Sequence, residues 1–126
     1  LGLFGESSDC RDIDEAVLKG NKRAILAQNA FAYRVLKYIG AYTAAMNGAD
    51  LIVFTGGIGE NDSVIRHFIG TRLGFLGVSF DQEKNKTVRG QNAILSTNGT
   101  KTQVVVISTD EELVIATDTL NLTNKK

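Results

Sequence analysis

The chain has 126 residues, 14 Lys plus Arg against 14 Asp plus Glu, 43% hydrophobic content, one Cys and neither Pro nor Trp; that is one domain's worth of chain. A zero formal charge with acids and bases interspersed gives no electrostatic footprint for nucleic acid or an anionic membrane, and no run approaches the roughly 18 apolar residues of a membrane span. The start LGLFGESSD lacks the basic region and apolar core of a signal peptide, and the single Cys10 excludes an internal disulfide or a thiolate zinc cluster, so the reading is cytoplasmic.

Asn-X-Ser/Thr triplets begin at Asn61, Asn85, Asn98 and Asn121 and, without a secretory signal, read as coincidence. The chain opens on Leu1, not Met, directly in a glycine-spaced apolar segment, and reads as a piece of something longer.

Asp12 to Gly20 has acids in its first turn, Lys19 in its last and a glycine behind it, which predicts a short helix with a complemented dipole. From Lys22 to about Asn47, Ile25, Ala32, Val35, Leu36, Ile39, Tyr42 and Met46 follow a helical period, and the alanines with Gly40 leave room for close approach. This helix is expected to pack by its Ala, Gly40 and Tyr face, within the chain's own fold or across a two-fold axis. Leu51 to Phe54 is an apolar, β-branched run expected as the central strand of an αβα arrangement, buried on both faces. It runs into Gly56, Gly57, Ile58 and Gly59, read as a strand-to-helix turn, after which Asn61, Asp62 or Ser63 caps a helix to about Arg72 with Val64, Ile65, Phe68 and Ile69 inward. Val78 to Phe80 suits a short strand, and Asp81 to Thr87 a polar surface stretch. Ala93 to Thr97 and Thr102 to Ser108 suit a hairpin around Asn98-Gly99. Thr109 or Asp110 caps a last helix from Glu111 to about Leu120, before a polar tail.

Three strings carry chemistry. FTGGIGEN, Phe54 to Asn61, puts glycines where a strand reaches a sheet edge and a helix turns its free N–H groups toward the same crevice, a place suited to an anionic or flat ligand. Three glycines at a tight turn also serve backbone geometry alone, and the string is neither a Walker A loop nor a full G-x-G-x-x-G. Ser7 to Asp12 reads equally as a serine turn with a helix cap. Thr109-Asp110-Glu111-Glu112 follows a valine-rich strand; acids there stabilise a helix dipole, and a carboxylate at a strand's end also suits Mg²⁺.

Taken together and in this order, SSDCRDI, FTGGIGEN and VVVISTDEEL, with LGFLGVSFD and the NG turn between them, closely resemble the C-terminal part of the acetate kinase family, over essentially the whole chain. The resemblance implies an α/β fold, part of the C-terminal lobe of a sugar kinase/actin/Hsp70-like (ribonuclease H-like) architecture. Residues 1–126 would form a fragment of the nucleotide-binding lobe, the last helix, about 110–126, packing toward the N-terminal lobe. It implies ATP/ADP and Mg²⁺ as cofactors, acetate or another short carboxylate and acetyl phosphate as substrates, and a homodimer. By the same resemblance Asp9, Cys10 and Arg11 lie beside the adenine, Gly57, Ile58, Gly59, Glu60 and Asn61 form the nucleotide loop, and Glu111 is the magnesium carboxylate.

Cys10 stands where such enzymes often carry a larger apolar residue, and Asp110 where Asn is common. The phosphate loop, acyl pocket and the Arg, His and Asp groups that act on the phosphoryl are implied upstream of Leu1, so no catalytic residue is assigned here and the isolated chain is expected to be inactive. His67 reads as a surface residue, and Cys10 is no nucleophile, having no His near it in sequence. The rival reading is a non-catalytic nucleotide-binding or dimerisation module.

Overall fold

The computed structural model describes residues 2–124. Helix α1 (Cys10–Leu18) begins at Asp9, whose carboxylate accepts the Arg11 N–H, and α2 (Lys22–Ala45) begins at Asn21, whose side chain accepts from Arg23 and Ala24. A polar cap ahead of an amphipathic run starts each helix, and Asn47 (φ 58°) with Gly48 (φ 130°) turns the chain out of α2. Strand β1 (Leu51–Phe54) is followed by α3 (Gly56–Asn61), α4 (Ser63–Gly70), a 3₁₀ turn at Gly74–Leu76, α5 (Gln82–Thr87), β2 (Ala93–Ile94), β3 (Gln103–Val106) and α6 (Glu111–Thr123).

The sheet order is β1-β3-β2, with β1 parallel and β2 antiparallel to β3, Val53 facing Val105 and Ala93 facing Val106. β3 is therefore the central strand, which corrects the placement of β1 there. Side chains alternate across a strand: Phe54 is buried and Ile52 half-buried, whereas Leu51 is 48% and Val53 41% exposed. An unbroken apolar run does not by itself bring a second layer to cover both faces. One face packs on α2 and α4 through Ala32, Phe54, Ile65, Ile69, Leu73, Val104 and Val106, burial that dominates stability.

Other expectations move by smaller amounts. The glycines after β1 are themselves helical, and Asp62 alone caps α4, accepting from Val64 and Ile65 at 2.9 Å each. Val64 is exposed, not inward, because it follows the cap on the solvent side; Tyr42 and Met46 at the end of α2 are exposed too, and Ala24 and Thr43 take the buried places. The stretch after Asp81 is a helix, not a plain surface loop, because Asp81 caps it and Asn85 is buried. The Leu95 N–H still donates to the Val104 carbonyl of β3 at 2.7 Å and Ser96 then pairs with Phe80, so the Asn98-Gly99 loop is wider than a two-residue hairpin. No described residue of α6 is buried, and no helix is long and apolar enough to cross a membrane among the described residues.

Candidate functional site

The start of α1 and the glycine helix α3 face each other across an open cleft of about 800 Å³. Asp9, Cys10 and Arg11 line one wall; Gly57, Ile58 and Asn61 line the other, with Asp62, Ser63, Val64 and Arg89 beside them. Two strings far apart in sequence thus line one cleft. Ser7 shapes the first wall: its hydroxyl accepts the Asp9 N–H at 3.0 Å and donates to Asp12 at 2.6 Å.

Arg11 forks onto Asp9, with its Nε at 3.1 Å from Oδ1 and its Nη2 at 2.7 Å from Oδ2. The pair is exposed and contributes little to stability. It does hold the Asp9 carboxyl at about 2, from an ordinary 3.8, chiefly through the side-chain bond to Arg11 and then the Arg11 N–H. A depressed folded-state value means that the cap is complete above the ordinary value and is lost as pH falls through about 2. A carbon-detected titration is expected to place the Asp9 midpoint near that value, and a midpoint close to 3.8 would show that the fork does not persist in solution.

The three glycines differ in what they need. Gly56 has φ +69°, open to glycine at little cost, and a Cβ on Gly59 would lie 3.0 Å from the Phe54 carbonyl carbon. Gly57 has neither constraint: its backbone is not left-handed and a Cβ there would meet nothing within 4 Å. The space beside it belongs to the cleft.

Gly59 and Glu60 do not line that cleft. Glu60 is buried and turned to the far side of α3, where Oε1 accepts both the backbone N–H and the hydroxyl of Thr109 at 2.9 Å each. These bonds, the backbone one first, hold its carboxyl below the usual range against the opposing effect of burial. Asn61 donates its side-chain N–H to the Gly57 carbonyl at 3.0 Å. Glu111 opens α6 as an exposed residue outside the cleft, and its carboxylate makes no hydrogen bond among the described residues.

Three groups were not singled out by sequence. Arg66 is fully buried: its guanidinium donates to the Gly59 carbonyl and Asn85 Oδ1 at 2.9 Å each, to Val88 O at 2.6 Å and to Asn85 O at 3.3 Å. It thereby fastens α3 to α5. The signal was present, since a helical period puts Arg66 on the stripe of Ile69 and Leu73. Asp14 accepts from Gln28 at 2.9 Å at the cleft floor, and burial, with the nearby Asp62, pushes its carboxyl up. Arg89 adds a second exposed cation to the cleft rim.

Burial first, then the carboxylates of Asp14, Asp9 and Asp62, pushes the Cys10 thiol up, so it stays protonated at neutral pH and is a poor nucleophile. His67 is exposed.

Against known proteins, the model of the acetokinase family matches residues 1–117. The chain belongs to the acetokinase family. It is 54% identical over 125 residues to an acetate kinase of Phocaeicola vulgatus, covering 99% of this chain and 31% of that protein. Its fold superposes on the crystal structure of Porphyromonas gingivalis acetate kinase with a TM-score of 0.86 at 46% identity, covering 98% of this chain and 31% of that one. On the acetate kinase of Entamoeba histolytica the TM-score is 0.85 at 32% identity, covering 97% and 32%. The acetokinase segment described here thus spans about 31% of the length of such relatives, and its α/β fold with a mixed sheet is the one those kinases carry in this region.

Proposed function

We propose that this chain supplies the nucleotide-binding part of an acetate kinase, which transfers the γ-phosphoryl of ATP reversibly to acetate, giving acetyl phosphate and ADP. The observation that supports this best is the cleft at which Asp9–Arg11 meets Gly57–Asn61, in a chain of this family. Gly57 and Ile58 offer a flat, side-chain-poor wall to the nucleotide, Cys10 an apolar contact opposite, and Arg11 a cation at the rim. Gly59 and Glu60 serve the same site by shaping α3, not by lining the cleft.

The charge balance says which end of the nucleotide fits. Asp9, Asp14, Glu15 and Asp62 outnumber Arg11 and Arg89 in the lining, so the cleft suits the base and ribose better than the phosphates. Among the described residues no three His, Cys, Asp or Glu side chains converge into a metal cage. Glu111 would therefore hold Mg²⁺ together with phosphate oxygens and water, the usual ligands of that ion. Bound there, the ion would neutralise phosphate charge during transfer. Transfer chemistry needs a cationic clamp on the phosphoryl group; the cleft's two cations are outnumbered by carboxylates, and Arg11 is paired with Asp9, so the 126-residue chain is expected to bind nucleotide weakly and to turn over no acetyl phosphate.

For the remaining surfaces we assign two occupants. The exposed tyrosines of α2, with Tyr38 and Tyr42 stacked at 6.0 Å between centroids and Gly40 open beside them, suit a second subunit. The exposed Leu113, Val114, Ile115, Leu120 and Leu122 of α6 suit packing against the N-terminal lobe of a full-length kinase. The compartment that fits such an enzyme is the cytoplasm.

Calorimetric titration with ADP, with and without Mg²⁺, tests the functional reading. Measurable binding at about millimolar ADP is expected, strengthened by Mg²⁺ in the wild type and not in Glu111→Gln. No binding, or an equal Mg²⁺ effect in both proteins, would contradict it.

A further inference from the structure

We propose that Glu60 is a positioning residue and not a nucleotide ligand: its buried carboxylate latches the segment that carries Glu111 onto the glycine helix. The role of Glu111 in this inference rests on the function proposed above; the latch itself does not.

Glu60 sits in α3, yet its Oε1 points away from the cleft and takes both donors of Thr109. Thr109 lies two residues before Glu111, in the connection from β3 to α6. The helix itself adds no side-chain tie to the rest of the fold among the described residues. None of its residues is buried, and its side-chain hydrogen bonds all stay within the helix and its cap. The connection is held by three ties in succession. The Ile107 N–H donates to the Phe54 carbonyl at 3.0 Å, the Ser108 N–H to Asn92 Oδ1 at 2.8 Å, and Thr109 to Glu60.

The Glu60 tie is the last before the helix and the one that reaches the glycine segment. A carboxylate suits it because a charged acceptor strengthens both bonds, and a buried charge left without them would be costly. The consequence is mechanical. The wall that would hold the nucleotide and the carboxylate that would face its metal share one rigid link, although Gly57 and Glu111 belong to different elements.

Amide hydrogen exchange and ADP calorimetry on Glu60→Ala, Glu60→Gln, Thr109→Ser and Thr109→Val separate the possibilities. In Glu60→Ala the Thr109 amide is expected to exchange at least about fivefold faster, the loss of roughly one hydrogen bond, with α4 unchanged. The gain in ADP affinity from Mg²⁺ should vanish while metal-free affinity stays within about twofold. Glu60→Gln, which keeps Oε1 as an acceptor without the charge, should fall between wild type and Glu60→Ala, and Thr109→Ser, which keeps the hydroxyl, should behave nearly as wild type. Thr109→Val leaves Glu60 in place and should give a smaller shift of the same sign, which keeps the test open if Glu60→Ala folds poorly.

Unchanged Thr109 exchange in Glu60→Ala would overturn the latch. A tenfold loss of metal-free ADP binding with the Mg²⁺ gain intact would overturn it too, by placing Glu60 on the nucleotide. If wild type binds no ADP, the functional reading fails, and the exchange result still decides the latch.

Discussion

Replacing Arg66 with Met is expected to cost roughly 3–5 kcal/mol, a large fraction of the stability of a domain this size. The methionine fills much of the same volume, so packing is not the issue. What is lost is the donor set for four acceptors, Gly59 O, Asn85 Oδ1, Asn85 O and Val88 O, all met by one guanidinium with no exposed surface. Unpaired buried carbonyls carry their full desolvation cost. Burial holds the Arg66 pKa below its ordinary value, with Asp62 opposing, yet an arginine stays charged throughout the physiological range. Arg66→Lys should recover little, because an ammonium cannot reach acceptors spread across a planar fork. Urea unfolding of the three proteins measures this; a Met variant within about 1 kcal/mol of wild type would mean that water already serves those carbonyls.

Gly57→Val is expected to abolish ADP binding and leave folding intact. The valine Cβ would enter open space, and the backbone there is one that any residue adopts. Valine is also a better helix former than glycine by a few tenths of a kcal/mol or so, so α3 should not loosen. The branched methyls would instead occupy the wall of the cleft next to Ile58. Gly59→Val is the contrast: its Cβ, 3.0 Å from the Phe54 backbone, forces a shift between β1 and α3 and should cost about 1–3 kcal/mol. Thermal melts and ADP titrations on both variants separate the two roles. Equal ADP binding by wild type and Gly57→Val would make this glycine structural.

Much of the local structure was legible because its causes are local. Asp9, Asn21 and Asp62 cap helices within three residues of the groups they satisfy, and Asn47-Gly48 ends α2 by left-handed backbone. The two walls of the cleft were legible as strings, through the resemblance they carry, and the structure brings six of their residues together. What sequence did not give is long-range. β1 reads as a central strand from its apolar run, but strand order depends on which partner β3 takes on its other side. Glu60 reads as part of a nucleotide loop, and only the fold reveals Thr109, 49 positions away, as its partner. Arg66 stood on an apolar stripe in plain view, yet its acceptors are backbone carbonyls, which no residue type announces.

The most direct test is a map of ADP on the chain by amide chemical shifts. Perturbations are expected to converge on Cys10, Arg11, Gly57, Ile58 and Asn61, from both walls of the cleft. The hollow on the other side of α1, lined by Phe4, Glu6, Asp12 and Lys19, should stay silent. Shifts centred on that hollow, or on one wall of the cleft without the other, would contradict that placement.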